Sequence, residues 1–271
     1  MRLTSSLLLS VLLAACLTPL NAPSEPVEAP PTTPTTELIG RTPPTDSWQT
    51  IAPGVEQRLY VPDGDTLAQM VALRVDPALV EFRAHYRPAA PYTLFEWREA
   101  FPQALAFINA NFFDPERRAL GLVVSDGQAY GTPYTDRGGL FAVDNAGGVA
   151  VRSNIYEPYR GEPLWQAVQG FPMLVYGRTH ANTDARQTQR SRRSIIGQDD
   201  AGRILLLATP GIGLGLYDLG AYLARPELEL NLVNAFNLDG GGSTMLYIAA
   251  TNYTLISRDP VPTILALYPR S

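Results

Sequence analysis

The sequence predicts an α+β fold: a single domain with a mixed, mostly antiparallel sheet and a few helices. Short apolar runs rich in β-forming residues recur from Arg58 onward, and many end at turn dipeptides such as Asp126-Gly127. Only two stretches show a helical pattern, and they do not alternate regularly with the strands, as a doubly wound parallel sheet would require. A hydrophobic content of 45% over 271 residues is sufficient for the core of one domain.

The predicted strands follow one another closely, and two pairs of them form hairpins. One hairpin turns at Gly147-Gly148, and the other turns around Ala201-Gly202. The predicted strands are Arg58–Val61, Met70–Val75, Leu79–Ala84, Leu105–Ile108, Leu120–Val124, Leu140–Val143, Val149–Val151, Met173–Tyr176, Ser194–Ile196 and Ile204–Ala208.

Two segments are predicted to be helices from their start and stop signals. Thr93 is a candidate N-cap for a helix over 94–100, which Pro102 would end. A second helix is expected over 217–224, before Pro226.

The N-terminus predicts export and a lipid anchor. Residues 1–16 combine a positive start, an apolar stretch and small residues before Cys16, which is the pattern of a secretory signal sequence. The run Leu-Ala-Ala-Cys resembles the bacterial lipobox, in which the cysteine is lipidated and becomes the mature N-terminus. Cys16 is the only cysteine; the alternative is an ordinary signal peptide cleaved nearby. We therefore expect localisation to the bacterial cell envelope, with the membrane as a partner through the anchor.

A Pro/Thr-rich tether is expected over residues 17–46, because such a composition buries too little apolar surface to offset its ordering entropy. The folded domain would then span residues 47–271. The net charge of −5 argues against a nucleic-acid partner.

The most informative motif is the run from Phe236 to Met245, which contains a carboxylate, three glycines and two hydroxyls. Glycines are expected where the backbone needs positive φ or a close approach, and successive N–H groups in such a turn can bind an anion. The alternative is a tight strand connection capped by the carboxylate. The candidate ligand-binding residues are Asp239, Gly240, Gly241, Gly242, Ser243 and Thr244.

Two further motifs carry polar side chains at the ends of predicted strands. Asn109, Asn111 and Asp114 follow one strand, and their amides suit sugar hydroxyls or phosphate; alternatively, the asparagines satisfy loop backbone. Arg192 and Arg193 precede another strand, and the arginine fork suits phosphate oxygens; alternatively, this basic loop is a solvated surface.

Taken in order, these motifs resemble the phosphodiester glycosidase family. The resemblance is carried by NANFFDP, QGFPMLVYG, RRSIIGQDDAGR and NAFNLDGGGSTM, and it spans Phe107 to Tyr268. Ala110 replaces a glycine that is common in the family, and Gln169–Pro172 departs from the usual S-G-G-P, so the resemblance does not identify the sugar.

The resemblance implies hydrolysis of the bond between an anomeric carbon and a phosphodiester oxygen. It also implies that one pocket is lined by Asn109, Asn111, Arg193, Asp239, Gly240, Gly241, Gly242, Ser243 and Thr244. Our hypothesis is that Asp239 acts as base or nucleophile, that Arg193 binds phosphate, and that Asn109 or Asn111 orients the sugar. Asp114 and Arg192 are further candidates for substrate binding. The partner would be a sugar phosphodiester or a phosphate-containing glycan of the envelope or the extracellular matrix.

Two other activities stay open on the sequence alone. One is attack at phosphorus, which makes the protein a P–O cleaving phosphodiesterase, and the other is non-catalytic polysaccharide binding. No cofactor is required for the implied reaction, although Ca²⁺ or Mg²⁺ could assist because Asp239, Asp114 and amide oxygens are hard ligands.

Overall fold

A computed structural model describes residues 47–270. The predicted signal sequence, the lipidation site Cys16 and the tether over 17–46 lie outside the described residues, so these three features stay predictions. No helix of the described part is long and apolar enough to cross a membrane.

The described residues form antiparallel strands, two α-helices (α1 and α2) and short 3₁₀ turns. The helices are α1 Leu94–Ala100 and α2 Leu216–Leu223. The 3₁₀ turns are Pro62–Gly64, Thr66–Ala68, Pro226–Leu228 and Gly241–Ser243. The strands are β1 Gln49–Ala52, β2 Val55–Tyr60, β3 Met70–Val75, β4 Val80–Tyr86, β5 Ala106–Asn109, β6 Val123–Ser125, β7 Gln128–Tyr130, β8 Gly139–Asp144, β9 Val149–Ser153, β10 Leu164–Gly170, β11 Met173–Tyr176, β12 Thr179–His180, β13 Ser194–Asp199, β14 Ile204–Ala208, β15 Leu232–Asn237, β16 Leu246–Ile248, β17 Tyr253–Leu255 and β18 Thr263–Pro269.

The strands are arranged in three sheets. The first has the order β1-β2-β3-β14-β13-β15-β11-β12, the second β7-β6-β10-β8-β9, and the third β17-β16-β5-β18-β4. The main core lies where the sheets face one another, and it buries Phe82, Phe141 and Phe236. Leu219 and Leu223 of α2 belong to a second buried cluster with residues of the first sheet, and α1 packs on the third sheet through Leu94 and Trp97.

The prediction of one domain with mostly antiparallel strands and a few helices is confirmed. The detail of one mixed sheet is wrong, because every strand pair in residues 47–270 is antiparallel and the strands divide among three sheets. Hairpins such as β8–β9 and β13–β14 are joined by short turns, which require antiparallel pairing, whereas parallel pairs need long crossover connections.

The first helix shows why its bounds were predictable from local sequence. Thr93 Oγ1 accepts the Glu96 N–H at 3.4 Å, and the Thr93 N–H donates to the Glu96 carboxylate at 2.8 Å. This reciprocal capping box satisfies two backbone donors that the first helical turn leaves free. The helix therefore starts where the Thr93 signal placed it.

Candidate active site

The ends of three strands meet around the side chain of Asn109. This side chain is 1% exposed, and its Nδ2 donates to the Asp239 carbonyl oxygen at 2.7 Å. Its Oδ1 accepts from Ser194 Oγ at 2.6 Å and from the Met245 N–H at 2.9 Å. Asn109 thus joins the end of β5 to the start of β13 and to both sides of the glycine turn. Its amide is occupied by the protein itself, which makes it a positioning residue for Asp239.

Asp239 follows β15, where it is held on both sides by backbone contacts. Its N–H donates to the Ala110 carbonyl oxygen at 2.9 Å, and its Oδ1 accepts the Gly240 N–H at 2.9 Å. Burial raises the pKa of Asp239 to about 6, and the carboxylate of Asp259 acts in the same direction. Hydrogen bonds from Ser243 and Gly240 lower the pKa but do not outweigh burial. A carboxyl with this pKa can exchange a proton near neutral pH, as a catalytic acid or base requires.

Each of the three glycines in the turn is required for a different structural reason. A Cβ at Gly240 would lie 2.8 Å from the Arg192 carbonyl oxygen, and a Cβ at Gly242 would lie 2.5 Å from an Asp259 carboxylate oxygen. Gly241 has φ +60°, a left-handed conformation in which a side chain is strained. The absence of side chains at Gly240 and Gly242 therefore allows the segments that carry Arg192 and Asp259 to pack closely against the turn.

Several N–H groups of the glycine turn are engaged within the protein. The Gly240 N–H binds Asp239, the Gly241 N–H donates to the Arg192 carbonyl oxygen at 2.8 Å, and the Ser243 N–H donates to Gly240. These donors hold the turn together, so they are not available to a phosphate.

The two predicted arginines are half-buried and have no acidic partner within residues 47–270. Arg192 Nη2 donates to the carbonyl oxygens of Thr244, at 2.6 Å, and Ile256, at 3.0 Å. Burial lowers the pKa of Arg192, and the charge of Arg258 lowers it further. Burial also lowers the pKa of Arg193. Because carbonyl oxygens do not neutralise a guanidinium charge, an anion bound here would supply the missing counter-charge.

Arg192 reaches an open cleft beside the glycine turn, which we call the arginine cleft. Its volume is about 360 Å³. It is lined by Ser191, Arg192, Pro210, Gly211, Ile212, Gly241, Gly242 and Arg258.

Arg193 points elsewhere. Its guanidinium donates to the carbonyl oxygens of Gln189, at 2.7 Å, and Leu214, at 3.3 Å, and it does not line the arginine cleft. The structure therefore brings Arg192 to the cleft and leaves Arg193 beside it.

Sequence reasoning missed Arg258 and Asp259. The loop that carries them is tied to the turn, because the Arg258 N–H donates to the Gly242 carbonyl oxygen at 2.6 Å. No glycine run or strand-end pattern marks this loop in the sequence, so only the fold reveals its place.

Asn111 and Asp114 lead to a second opening. Asn111 is 2% exposed and donates to the carbonyl oxygens of Leu120 and Leu122, while its Oδ1 has no donor among the described residues. Asp114 accepts from Arg118 Nε at 2.8 Å and lines a cleft of about 520 Å³. We call it the tyrosine cleft; it is lined by Tyr86, Pro88, Asp114, Arg118, Ala119, Leu120, Gly121, Tyr130, Gly131, Thr132, Pro133 and Tyr134. Asp114 therefore lines this cleft, and Asp239 does not.

Ser243 and Thr244 support the turn from within. Ser243 hydrogen-bonds to the Asp239 carboxylate, and the Thr244 carbonyl oxygen accepts from Arg192. Thr244 Oγ1 is buried and has no partner in the described part of the chain. Across residues 47–270, no group of three or more His, Cys, Asp and Glu side chains is placed to hold a metal ion.

Solved structures share this fold. The catalytic domain of zebrafish N-acetylglucosamine-1-phosphodiester alpha-N-acetylglucosaminidase, auto-inhibited by its pro-peptide, aligns with a TM-score of 0.62 and 19% identity over 84% of this chain and 87% of that chain. A hypothetical protein from Synechocystis aligns with a TM-score of 0.59 and 18% identity, over 84% of this chain and 64% of that chain. A protein from Burkholderia pseudomallei that is described as exported aligns with a TM-score of 0.57 and 15% identity, over 74% of each chain. At these identities the likeness shows the fold alone.

The sequence itself matches a family model. No curated protein matches the chain, but the model of the phosphodiester glycosidases matches residues 102–268, which is more than half of the sequence. That range includes the end of β5, both arginines, the glycine turn and the loop carrying Arg258. This chain belongs to the phosphodiester glycosidase family.

Proposed function

We propose that this chain is an exported hydrolase that cleaves a sugar 1-phosphodiester bond in envelope or extracellular glycans. The observation that carries the proposal is the presence, on the same glycine turn and its neighbouring strand entry, of a largely buried carboxyl whose pKa is about 6 and of half-buried arginines without an acidic partner among residues 47–270. The zebrafish relative is an N-acetylglucosamine-1-phosphodiester glycosidase, which supports the same class of bond here.

The arginine cleft is the proposed phosphate site. Arg192 and Arg258 line it, and Arg193 adds positive charge from beside it. A phosphodiester bound there would receive charge-assisted hydrogen bonds, which are stronger than neutral ones. Asp239 does not itself line this cleft, but its carboxyl hydrogen-bonds to Gly240 and Ser243 of the glycine turn that borders it, so a bound phosphate would meet Asp239 across this turn.

Asp239 is the proposed base or nucleophile. As a base, it takes a proton from water while the water oxygen bonds to the anomeric carbon. The bond from that carbon to the phosphate oxygen then breaks, and its electron pair leaves with the phosphate monoester. A phosphate monoester is a better leaving group than an alkoxide, so the protonated second carboxyl of most glycosidases is less necessary.

The remaining predicted residues have supporting roles in this proposal. Asn109 fixes the backbone of Asp239 through the 2.7 Å hydrogen bond to its carbonyl oxygen. Asn111 keeps a free acceptor for the sugar or an ordered water. A divalent cation is not needed for these steps, and we expect chelator treatment to leave turnover unchanged.

The pair formed by a carboxylate and nearby arginines also separates the enzyme from a mere binding module. A module that only held an anionic glycan would gain from the arginines but lose from the carboxylate, since like charges repel. The proposed localisation, a lipid-anchored protein of the bacterial envelope, rests on residues 1–16 and on no structural feature.

A panel of sugar 1-phosphodiesters tests the proposal, with released sugar and phosphate monoester as the readout. We expect wild-type protein to hydrolyse at least one member and Asp239→Asn to lose activity by at least about a thousandfold, as expected when an essential catalytic group is removed. Asp218→Asn, which alters an exposed carboxyl on α2, is the matched control and should stay active. An active Asp239→Asn variant would remove Asp239 from the mechanism, and binding without turnover of any member would favour the binding module.

A further inference from the structure

The tyrosine cleft has the composition of a carbohydrate site. The rings of Tyr86 and Tyr130 lie 5.0 Å apart at 56°, and Tyr130 is 40% exposed. Tyr134 stands edge-on to Phe171, at 5.4 Å and 88°. Aromatic rings offer large apolar faces at low conformational cost, and pockets of this kind add a few polar groups that orient the ligand. Asp114 and Arg118 supply those groups here.

The walls of this cleft are fixed by buried hydrogen bonds. Gln169 is fully buried, and its Oε1 accepts the N–H groups of Leu122 and Tyr134, both at 2.8 Å. Its Nε2 donates to the Tyr134 carbonyl oxygen at 3.1 Å. On the other wall, the Tyr86 hydroxyl accepts the Ala119 N–H at 2.9 Å. A site whose walls are already held binds its ligand with less loss of entropy.

Charge separates this cleft from the arginine cleft. Among residues 47–270, Arg118 is the only cation lining the tyrosine cleft, and it is paired with Asp114 at 2.8 Å. Of the same residues, two arginines and no carboxylate line the arginine cleft, and the exposed Asp259 carboxylate lies next to Gly242 at its edge. A phosphate is therefore attracted to the arginine cleft, whereas the tyrosine cleft suits a neutral sugar.

Asp239 lines neither cleft, but the backbone on each side of it leads to one of them. On one side, Gly241 lies two residues beyond Asp239 and lines the arginine cleft. On the other side, Asp239 bonds to Ala110, and the next residue, Asn111, bonds to Leu120 of the tyrosine cleft at 3.2 Å. A glycan that places its phosphodiester at Asp239 would extend past Asn111 to enter the tyrosine cleft.

We propose that the tyrosine cleft is a glycan subsite that binds a neutral hexose unit of the substrate. The substrate would then be an oligosaccharide or a polymer with further sugars beyond the phosphodiester, in place of a single glycosyl phosphate. Sugar binding in the cleft stands on the cleft alone, while the extension of the substrate rests on the proposed function.

Binding measured by amide NMR on the intact protein tests the subsite. The probes are maltotetraose, cellotetraose and chitotetraose, with inorganic phosphate as the contrasting ligand. We expect at least one tetrasaccharide to shift the amides of Gly121, Tyr130 and Gly131, and phosphate to shift those of Gly241 and Gly242 instead. Tyr130→Ala should weaken the sugar by roughly 3- to 10-fold. Tyr156→Ala, which removes another exposed tyrosine outside the cleft, should leave the sugar's Kd unchanged.

Three results would overturn the subsite: binding of none of the three sugars, shifts that cluster away from the cleft, or an unchanged Kd in Tyr130→Ala. The outcome is distinguishable from failure of the proposed function. Sugar binding in the cleft without hydrolysis of any sugar 1-phosphodiester would sustain the subsite and reject the enzyme. Hydrolysis of a sugar 1-phosphodiester with no sugar bound in the cleft would support the enzyme and reject the subsite.

Discussion

Ionisation of Asp239 lowers the stability of the fold but provides the carboxylate that the proposed reaction needs. Its pKa of about 6 in the fold lies above the usual 3.8, so the folded state holds a proton that the unfolded chain releases. The resulting stabilisation is complete below about pH 4 and is lost as the pH rises towards 6. Above that pH the carboxylate is ionised and destabilises the fold. The ionised form is also the form that a base or nucleophile needs.

Asp239→Asn should therefore make the protein more stable at pH 8, by on the order of 1–3 kcal/mol, but not at pH 4. The amide oxygen can still accept the Gly240 N–H, whereas the buried charge is gone. Urea unfolding at the two pH values measures the difference, with Asp218→Asn as the control. Equal stability of wild type and Asp239→Asn at pH 8 would show that the charge is not buried as described.

Asn109 is the residue on which the local geometry depends most. Asn109→Ala would leave Ser194 Oγ, the Met245 N–H and the Asp239 carbonyl oxygen without their partner. We expect a loss of about 2–4 kcal/mol in the free energy of unfolding, together with a lower kcat, because Asp239 is no longer held. Asn145→Ala, an exposed amide in a hairpin turn, should have little effect on either quantity. Retention of both wild-type stability and wild-type kcat by Asn109→Ala would refute the positioning role.

At the scale of the elements, the glycine turn is shaped by what packs against it. The obstacle that a Cβ would meet at Gly240 is a backbone carbonyl, while at Gly242 it is the end of an exposed side chain, which can move. The three glycines are therefore not equivalent, although they are adjacent in the sequence.

Gly240→Ala should destabilise the protein by about 1–3 kcal/mol, because the entry to β13 must shift. Gly242→Ala should cost less than about 1 kcal/mol, since the Asp259 side chain can rotate away. Thermal unfolding of the two variants side by side measures the contrast. A larger loss in Gly242→Ala than in Gly240→Ala would contradict this account of the turn.

Elements with local signals were predictable, and those without were not. The N-cap signal of Thr93 and the stop signal of Pro102 predicted α1, and β3, β11 and β14 lie where their apolar runs placed them. The strand β10 was missed, because Gln166 and Gln169 are buried polar residues that interrupt its apolar pattern. β18 was also missed, because its first five residues are all buried and show no alternation.

The candidate site shows the same limit. The carboxylate, the asparagines and the basic loop are marked by composition and strand ends, so the sequence could point to Asp239, Asn109 and Arg192. Their individual contacts could not be predicted. Asn109 hydrogen-bonds to the protein's own backbone, and other parts of the protein pack closely against the glycines. Arg258 became visible only through the fold.

At the scale of the whole molecule, the first and third sheets bring segments that are distant in the sequence to one junction. The end of β5, the start of β13 and the turn after β15 share the hydrogen bonds of one buried amide. The glycine turn of this junction borders the arginine cleft, and Asn111 connects the end of β5 to Leu120 of the tyrosine cleft. The central claim is that this arrangement hydrolyses a sugar 1-phosphodiester at the anomeric carbon, with the phosphate at the arginines and Asp239 at the sugar.

Hydrolysis in ¹⁸O-labelled water tests that claim most directly. With a sugar 1-phosphodiester that the wild-type protein turns over, mass spectrometry of both products locates the label, and Asp239→Asn measures the background. We predict that the label enters the sugar, because the anomeric carbon–oxygen bond breaks. Label in the released phosphate would contradict the account and identify a P–O cleaving phosphodiesterase.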